Sequence, residues 1–93
     1  MNRTAIIIPA YNAGHLLEPV VRASLAELPA VVVIDDGSTD GTGAVAAKAG
    51  AHVLWHTQNR GKGAALRTGF SWALQRDYDA VITLDADGQH LPS

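Results

Sequence analysis

The chain is 93 residues long and 9.7 kDa, carries a formal charge of -2, and has 17% charged residues. A chain of this size buries roughly 65% of its unfolded surface, enough for one modest core and no second domain. Its seven basic residues are scattered, which excludes a nucleic-acid footprint, and the lack of cysteine excludes disulfides, thiolate zinc sites and thiol catalysis.

A charged fraction below the usual ~25% argues against disorder and for a surface not wholly built to face water. No apolar run approaches the ~18 residues of a membrane span, and Met1-Asn2-Arg3-Thr4 shows no secretory cleavage pattern. The expectation is a soluble, cytoplasmic protein.

Residues 5–8 form a first short, β-branched apolar run. Leu17, Val21, Leu25 and Leu28 then recur at three- and four-residue spacing, which predicts an amphipathic helix. It is expected to start near Leu16, placing Pro19 in the first turn, where a missing N–H costs little. A second apolar run covers 31–34. The next helix is predicted over 40–49, with Ser38 or Thr39 as N-cap and Gly50 as the stop. Its buried face reads as nearly all alanine: Ala44, Ala46, Ala47 and Ala49 around Val45. Residues 52–55 make a third run. A third helix is predicted over 62–75, with Leu66, Phe70, Ala73 and Leu74 on its apolar side, and residues 80–84 make the last run.

Continuous rather than alternating hydrophobicity suits strands covered on both faces. With right-handed crossovers, the β-α-β-α-β-α-β order gives a Rossmann-like, three-layer α/β domain with a mainly parallel sheet. Strand order 3-2-1-4 is expected by analogy with mononucleotide-binding halves. That order puts 80–84 at a sheet edge, although it is as apolar as a central strand. Bare hydrophobic edges invite pairing, so further sequence or a partner copy, as in a homodimer through 80–84, is expected to cover it.

Open α/β sheets bind ligands beyond the carboxyl ends of their strands. Pro9-Ala10-Tyr11-Asn12, Asp35-Asp36-Gly37-Ser38 and Asp85-Ala86-Asp87-Gly88 all fall there, and Gln58-Asn59-Arg60-Gly61-Lys62-Gly63 leads into the third helix. Asp85 and Asp87, two apart in extended chain, point to one side. Two hard oxygen donors with open positions suit Mg²⁺ or Mn²⁺; the plainer reading is an Asp-Gly turn. An EF-hand also begins Asp-x-Asp, but its later ligands are missing. Asp35 and Asp36 are adjacent and point to opposite faces. One is expected to cap the second helix and the other to face the crevice, where a carboxylate can accept from the imide N–H of uracil or guanine. Gly61-Lys62-Gly63 at a helix start can hold an anion, though neither the Walker spacing nor a Gly-x-Gly-x-x-Gly fingerprint is present. Tyr11 can stack on a base or cover its loop. The four histidines show no metal-like pairing; His90, near the acidic pair, is the one with a candidate role.

Together these loops resemble the nucleotide-binding half of a family 2 glycosyltransferase with the GT-A fold. The resemblance rests on Ile8-Pro9-Ala10-Tyr11-Asn12, on Val33-Ile34-Asp35-Asp36-Gly37-Ser38-Thr39-Asp40-Gly41-Thr42, and on Asn59-Arg60-Gly61-Lys62-Gly63-Ala64-Ala65 with Gly69. Its last stretch is Leu84-Asp85-Ala86-Asp87-Gly88-Gln89-His90 with Pro92. It spans nearly the whole chain, and the last two stretches look most like dolichyl- or polyprenyl-phosphate sugar transferases. The resemblance implies that Pro9, Tyr11 and Asn12 shape a nucleoside pocket, that Asp36 reads the base edge, and that Lys62 or Arg67 approaches from the third helix. Asp85, Ala86 and Asp87 would be the DxD element, one carboxylate touching the ribose and the other reaching a diphosphate through Mg²⁺ or Mn²⁺. Gln89 would border that site. One departure is Ala13, where the family commonly has Glu.

In that family the acceptor site and catalytic base lie downstream of the DxD element, so no catalytic residue is assigned. Residues 1–93 are expected to form a single, truncated donor domain that binds a UDP- or GDP-sugar without turning it over alone. The implied parent reaction moves the sugar to an acceptor, with a polyprenyl phosphate as the favoured class. The alternative is a non-catalytic module that binds nucleotide or only self-associates. A receiver-type phosphotransfer domain would leave Asp85-Ala86-Asp87 and Pro9-Ala10-Tyr11-Asn12 without a role.

Overall fold

The computed structural model describes residues 3–86. The chain runs β1 (Thr4–Ala10), α1 (Gly14–Glu27), β2 (Val31–Asp36), α2 (Thr42–Ala49), β3 (His52–His56), α3 (Lys62–Gln75) and β4 (Ala80–Thr83). All strand pairings are parallel, as the α/β alternation predicts, and the sheet order is β3-β2-β1-β4, as expected by analogy with mononucleotide-binding halves. The two central strands are enclosed on both faces. Ile6, Ile8, Val31 and Val33 share one apolar cluster with Leu17 and Val21 of α1 and Ala46 of α2. Ile7, Val32 and Ile34 alternate to the other face and meet Ala65 of α3. That alternation makes three layers.

The helices correct the sequence reading in several places. α1 begins at Gly14, so Pro19 lies in its second turn rather than its first. Pro19 has no N–H to give the carbonyl of His15, but both residues are exposed, and water can satisfy that oxygen. α2 starts at Thr42, after Gly41 in the left-handed region at φ 80°, and neither Ser38 nor Thr39 caps it. Those two residues serve Asn12 instead, Ser38 through its hydroxyl and Thr39 chiefly through its backbone N–H. Ser38 Oγ accepts from the Asn12 N–H, and Asn12 Oδ1 accepts from the Thr39 N–H, each at 2.9 Å. The first N–H groups of α2 go to carboxylates, Thr42 N to Asp40 Oδ1 at 3.0 Å and Gly43 N to Asp35 Oδ2 at 2.9 Å. Its buried face is Thr42, Gly43, Ala46 and Ala49, with Ala44 and Ala47 exposed. Gly50 does end the helix, at φ 110°.

α3 keeps its expected span and buries Ala73 as expected, but its other innermost positions differ. Ala65, Gly69 and Ala73 are buried, Leu66 and Phe70 are half-buried, and Leu74 is exposed. Small residues take the inner positions because the helix lies so close to the sheet. A Cβ on Gly69 would sit 2.5 Å from Ile7 Cγ2 and 3.0 Å from Ile34 Cδ1.

β4 is the edge strand, paired to β1 from Thr4↔Ala80 to Ile7↔Thr83, with Val81 38% and Ile82 42% exposed. Between α1 and β4 runs an apolar groove of about 870 Å³, bounded by Leu16, Val20, Leu28, Ile82 and Leu84 among others. No helix among the described residues is long and apolar enough to cross a membrane.

Candidate functional site

The carboxyl end of β2 carries the adjacent aspartates, and pleating sends them to different tasks. Asp35 closes its own turn, accepting from the Ser38 N–H at 2.9 Å, and caps α2 through Gly43. Asp36 turns toward β3 and the loop that follows it. Its Oδ1 lies 2.7 Å from His56 Nδ1 and accepts from the Arg60 N–H at 2.9 Å, while its Oδ2 accepts from the Gly61 N–H at 2.8 Å. Burial pushes this carboxyl up, but the hydrogen bonds from His56, Arg60 and Gly61 together outweigh it and hold the group below the ordinary aspartate value. The loop can come this near because residue 37 is glycine. Gly37 has φ 76°, and a Cβ there would lie 2.4 Å from the backbone of both Gln58 and Asn59.

Beyond β4 stands Asp85. Its Oδ1 accepts from Lys62 Nζ at 2.6 Å, and the two side chains are 31% and 50% exposed. Lys62 opens α3 directly after Gly61, so the glycine held by Asp36 also sets where this lysine emerges. Pro9, Tyr11, Asp36, Lys62 and Asp85 then line one cavity of about 320 Å³, joined by Asn59, Gly61 and Ala65.

Of the residues singled out from sequence, these first five meet at the cavity. Asn12 is close by in sequence but does not line it; its backbone, at φ 49°, and its amide tie the β1–α1 loop to the β2–α2 loop. Ala86 and Arg67 are also absent from the lining. Asp87, Gln89 and His90 lie outside the described residues. Ala13 is buried, with its N–H on Thr42 Oγ1 at 3.1 Å. His56 was passed over in the sequence. The available signal was topological: order β3-β2 puts the last residue of one strand beside the last of the other, and the register is Asp36↔His56.

The sequence profile of Glycosyl transferase family 2 matches residues 5–93. The chain belongs to that family. It is 42% identical over 98 residues to polyprenol monophosphomannose synthase of Mycolicibacterium smegmatis, covering 97% of this chain and 37% of that protein. With undecaprenyl-phosphate mannosyltransferase of Micrococcus luteus it shares 39% identity over 97 residues, again 97% of this chain and 40% of the relative. The chain therefore spans about two fifths of the length of these curated relatives. Glucosyl-3-phosphoglycerate synthase of Mycobacterium tuberculosis, crystallised with Mn²⁺, UDP-glucose and phosphoglyceric acid, superposes with a TM-score of 0.77 at 27% identity, over 91% of this chain and 33% of that one. The same enzyme has also been crystallised with Mg²⁺ and UDP. This family 2 member thus has the GT-A type of α/β fold.

Proposed function

We propose that the chain is the donor-binding part of a glycosyltransferase that moves a sugar from a UDP- or GDP-sugar to a polyprenyl phosphate. The observation that carries this reading is the gathering of Tyr11, Asp36, Lys62 and Asp85, from four separate segments, around one cavity at the carboxyl ends of the strands. Tyr11, 52% exposed, offers a ring face to a base beside the rigid wall of Pro9. Asp36 accepts from the base edge. Lys62 can turn from Asp85 to a diphosphate oxygen.

Mg²⁺ or Mn²⁺ fits the donor set in kind. Asp85 is a hard, partly exposed oxygen ligand, and among the described residues no three ligating side chains cluster, so Asp87, phosphate oxygens and water would complete the shell. Bound there, the ion would neutralise charge growing on the departing nucleoside diphosphate. The polyprenyl phosphate class is supported by the likeness to polyprenol monophosphomannose synthase and undecaprenyl-phosphate mannosyltransferase.

Calorimetric titration with UDP and with GDP, each with and without Mn²⁺, is expected to give binding that Mn²⁺ strengthens and Asp36→Ala removes. If neither nucleotide binds at millimolar concentration, the reading is wrong. The edge of β4, unpaired among the described residues, supports self-association as a compatible second reading. Sedimentation should then give a dimer that Val81→Lys dissociates, and a monomer at high concentration would remove it.

A further inference from the structure

His56 ends β3 beside Asp36, and the two side chains are 6% and 4% exposed. Its Nδ1 lies 2.7 Å from Asp36 Oδ1 and its Nε2 lies 2.8 Å from Thr68 Oγ1. A neutral imidazole meets both contacts at once: Nδ1–H donates to the carboxylate and Nε2 accepts from the threonine hydroxyl. Asp36 Oδ1 then accepts from His56 and from the Arg60 N–H, which fills its two acceptor positions. Oδ2 accepts from the Gly61 N–H and keeps one position.

We propose that His56, backed by Thr68, is a positioning residue that locks the Asp36 carboxylate so that one remaining acceptor position is offered to the N–H edge of a nucleobase. The role rests on the donor-site reading above. Stability alone is a poor account of the relay, because apolar replacements of buried polar pairs are often neutral or stabilising. What the relay adds is direction. The carboxylate is held at both oxygens against rotation about its Cβ–Cγ bond. The same group anchors the N–H groups of Arg60 and Gly61, so a loosened Asp36 would also misplace the start of α3 and Lys62.

The test compares wild type with His56→Phe, His56→Asn and Thr68→Val, by calorimetry with UDP and with GDP and by long-range ¹H–¹⁵N NMR of the His56 ring. The wild-type ring is expected to carry its proton on Nδ1. His56→Phe is expected to weaken binding of whichever nucleotide binds by about tenfold, the loss of a charge-assisted hydrogen bond. His56→Asn, whose amide N–H takes the place of Nδ1–H, should recover most of that loss, and Thr68→Val should lose about threefold. A ring protonated on Nε2 alone overturns the proposal. So does nucleotide binding by a folded His56→Phe within about twofold of wild type. Should His56→Phe not fold, an Asn variant no better than Asp36→Ala, or a Thr68→Val variant with unchanged affinity, overturns it equally. When wild type binds, Asp36→Ala does not and His56→Phe is unaffected, only the His56 role falls. Failure of wild type to bind either nucleotide brings down the donor reading and the positioning role together.

Discussion

The two sides of the 320 Å³ cavity are built on the same residue type and behave differently. On the β2 side, Asp36 is buried and held by an imidazole and two backbone N–H groups. On the β4 side, Asp85 is partly exposed and its recorded partner is one half-exposed lysine. A carboxylate that reads a fixed pattern of donors gains from being immobilised before the ligand arrives. In the proposed donor site, one that would meet a changing charge at a diphosphate would gain from a partner that can leave. The surroundings, and not the aspartate itself, divide the work.

The sharpest way to break this contrast is at Gly37. Any side chain there meets backbone at 2.4 Å and must adopt a left-handed conformation. Gly37→Ala is expected to lose about 3 kcal/mol or more in urea unfolding and to detach the loop that holds Asp36. Next comes Asp36→Asn, expected to cost about 2 kcal/mol, because its amide NH₂ faces N–H donors that need an acceptor.

Acid unfolding refines the same point. Asp36 in the fold titrates below its ordinary value of 3.8, since its hydrogen bonds from His56, Arg60 and Gly61 outweigh burial. A lowered folded-state pKa favours folding above the unfolded value. That contribution is therefore full well above pH 3.8 and is lost as pH falls below 3.8 through the folded-state value. Asp40, lowered chiefly by the Thr42 hydroxyl, acts in the same direction. Circular dichroism from pH 6 downward, a range of about two units above that value, should show a shallower acid transition in Asp36→Asn, which no longer titrates. The smallest stability effect is expected on the other side. Lys62→Ala and Asp85→Asn should each change unfolding free energy by no more than about 0.5 kcal/mol, as for exposed ion pairs, yet weaken nucleotide binding about tenfold. A large stability loss in either would show that the β4 side is as fixed as the β2 side.

The strands and the polar rim at their carboxyl ends were legible because they rest on local signals: β-branched runs, and glycine and aspartate at the strand ends. The strand order came by analogy with mononucleotide-binding halves. The inner stripe of α3 was legible only in part. Of the expected positions only Ala73 is buried; a helix packed this closely sets Ala65 and Gly69 beside it, with Leu66 and Phe70 half-buried and Leu74 exposed. The α2 cap was misread because Ser38 and Thr39 bind Asn12, a contact between loops 26 and 27 residues apart. His56 escaped notice for a related reason, since its partner lies 20 residues away and they meet only once β3 is laid beside β2. The split between Asp35 and Asp36 was foreseen from the pleat alone, and the cavity assigns Asp36 to the crevice side.

The tight seat of Gly69 over Ile7 and Ile34 has a mechanical corollary. A helix wedged at that height cannot slide or tilt without collision, so α3 acts as a fixed datum for whatever enters above it. Adjustment to a guest then belongs to the lysine at its tip, while the frame beneath keeps its shape.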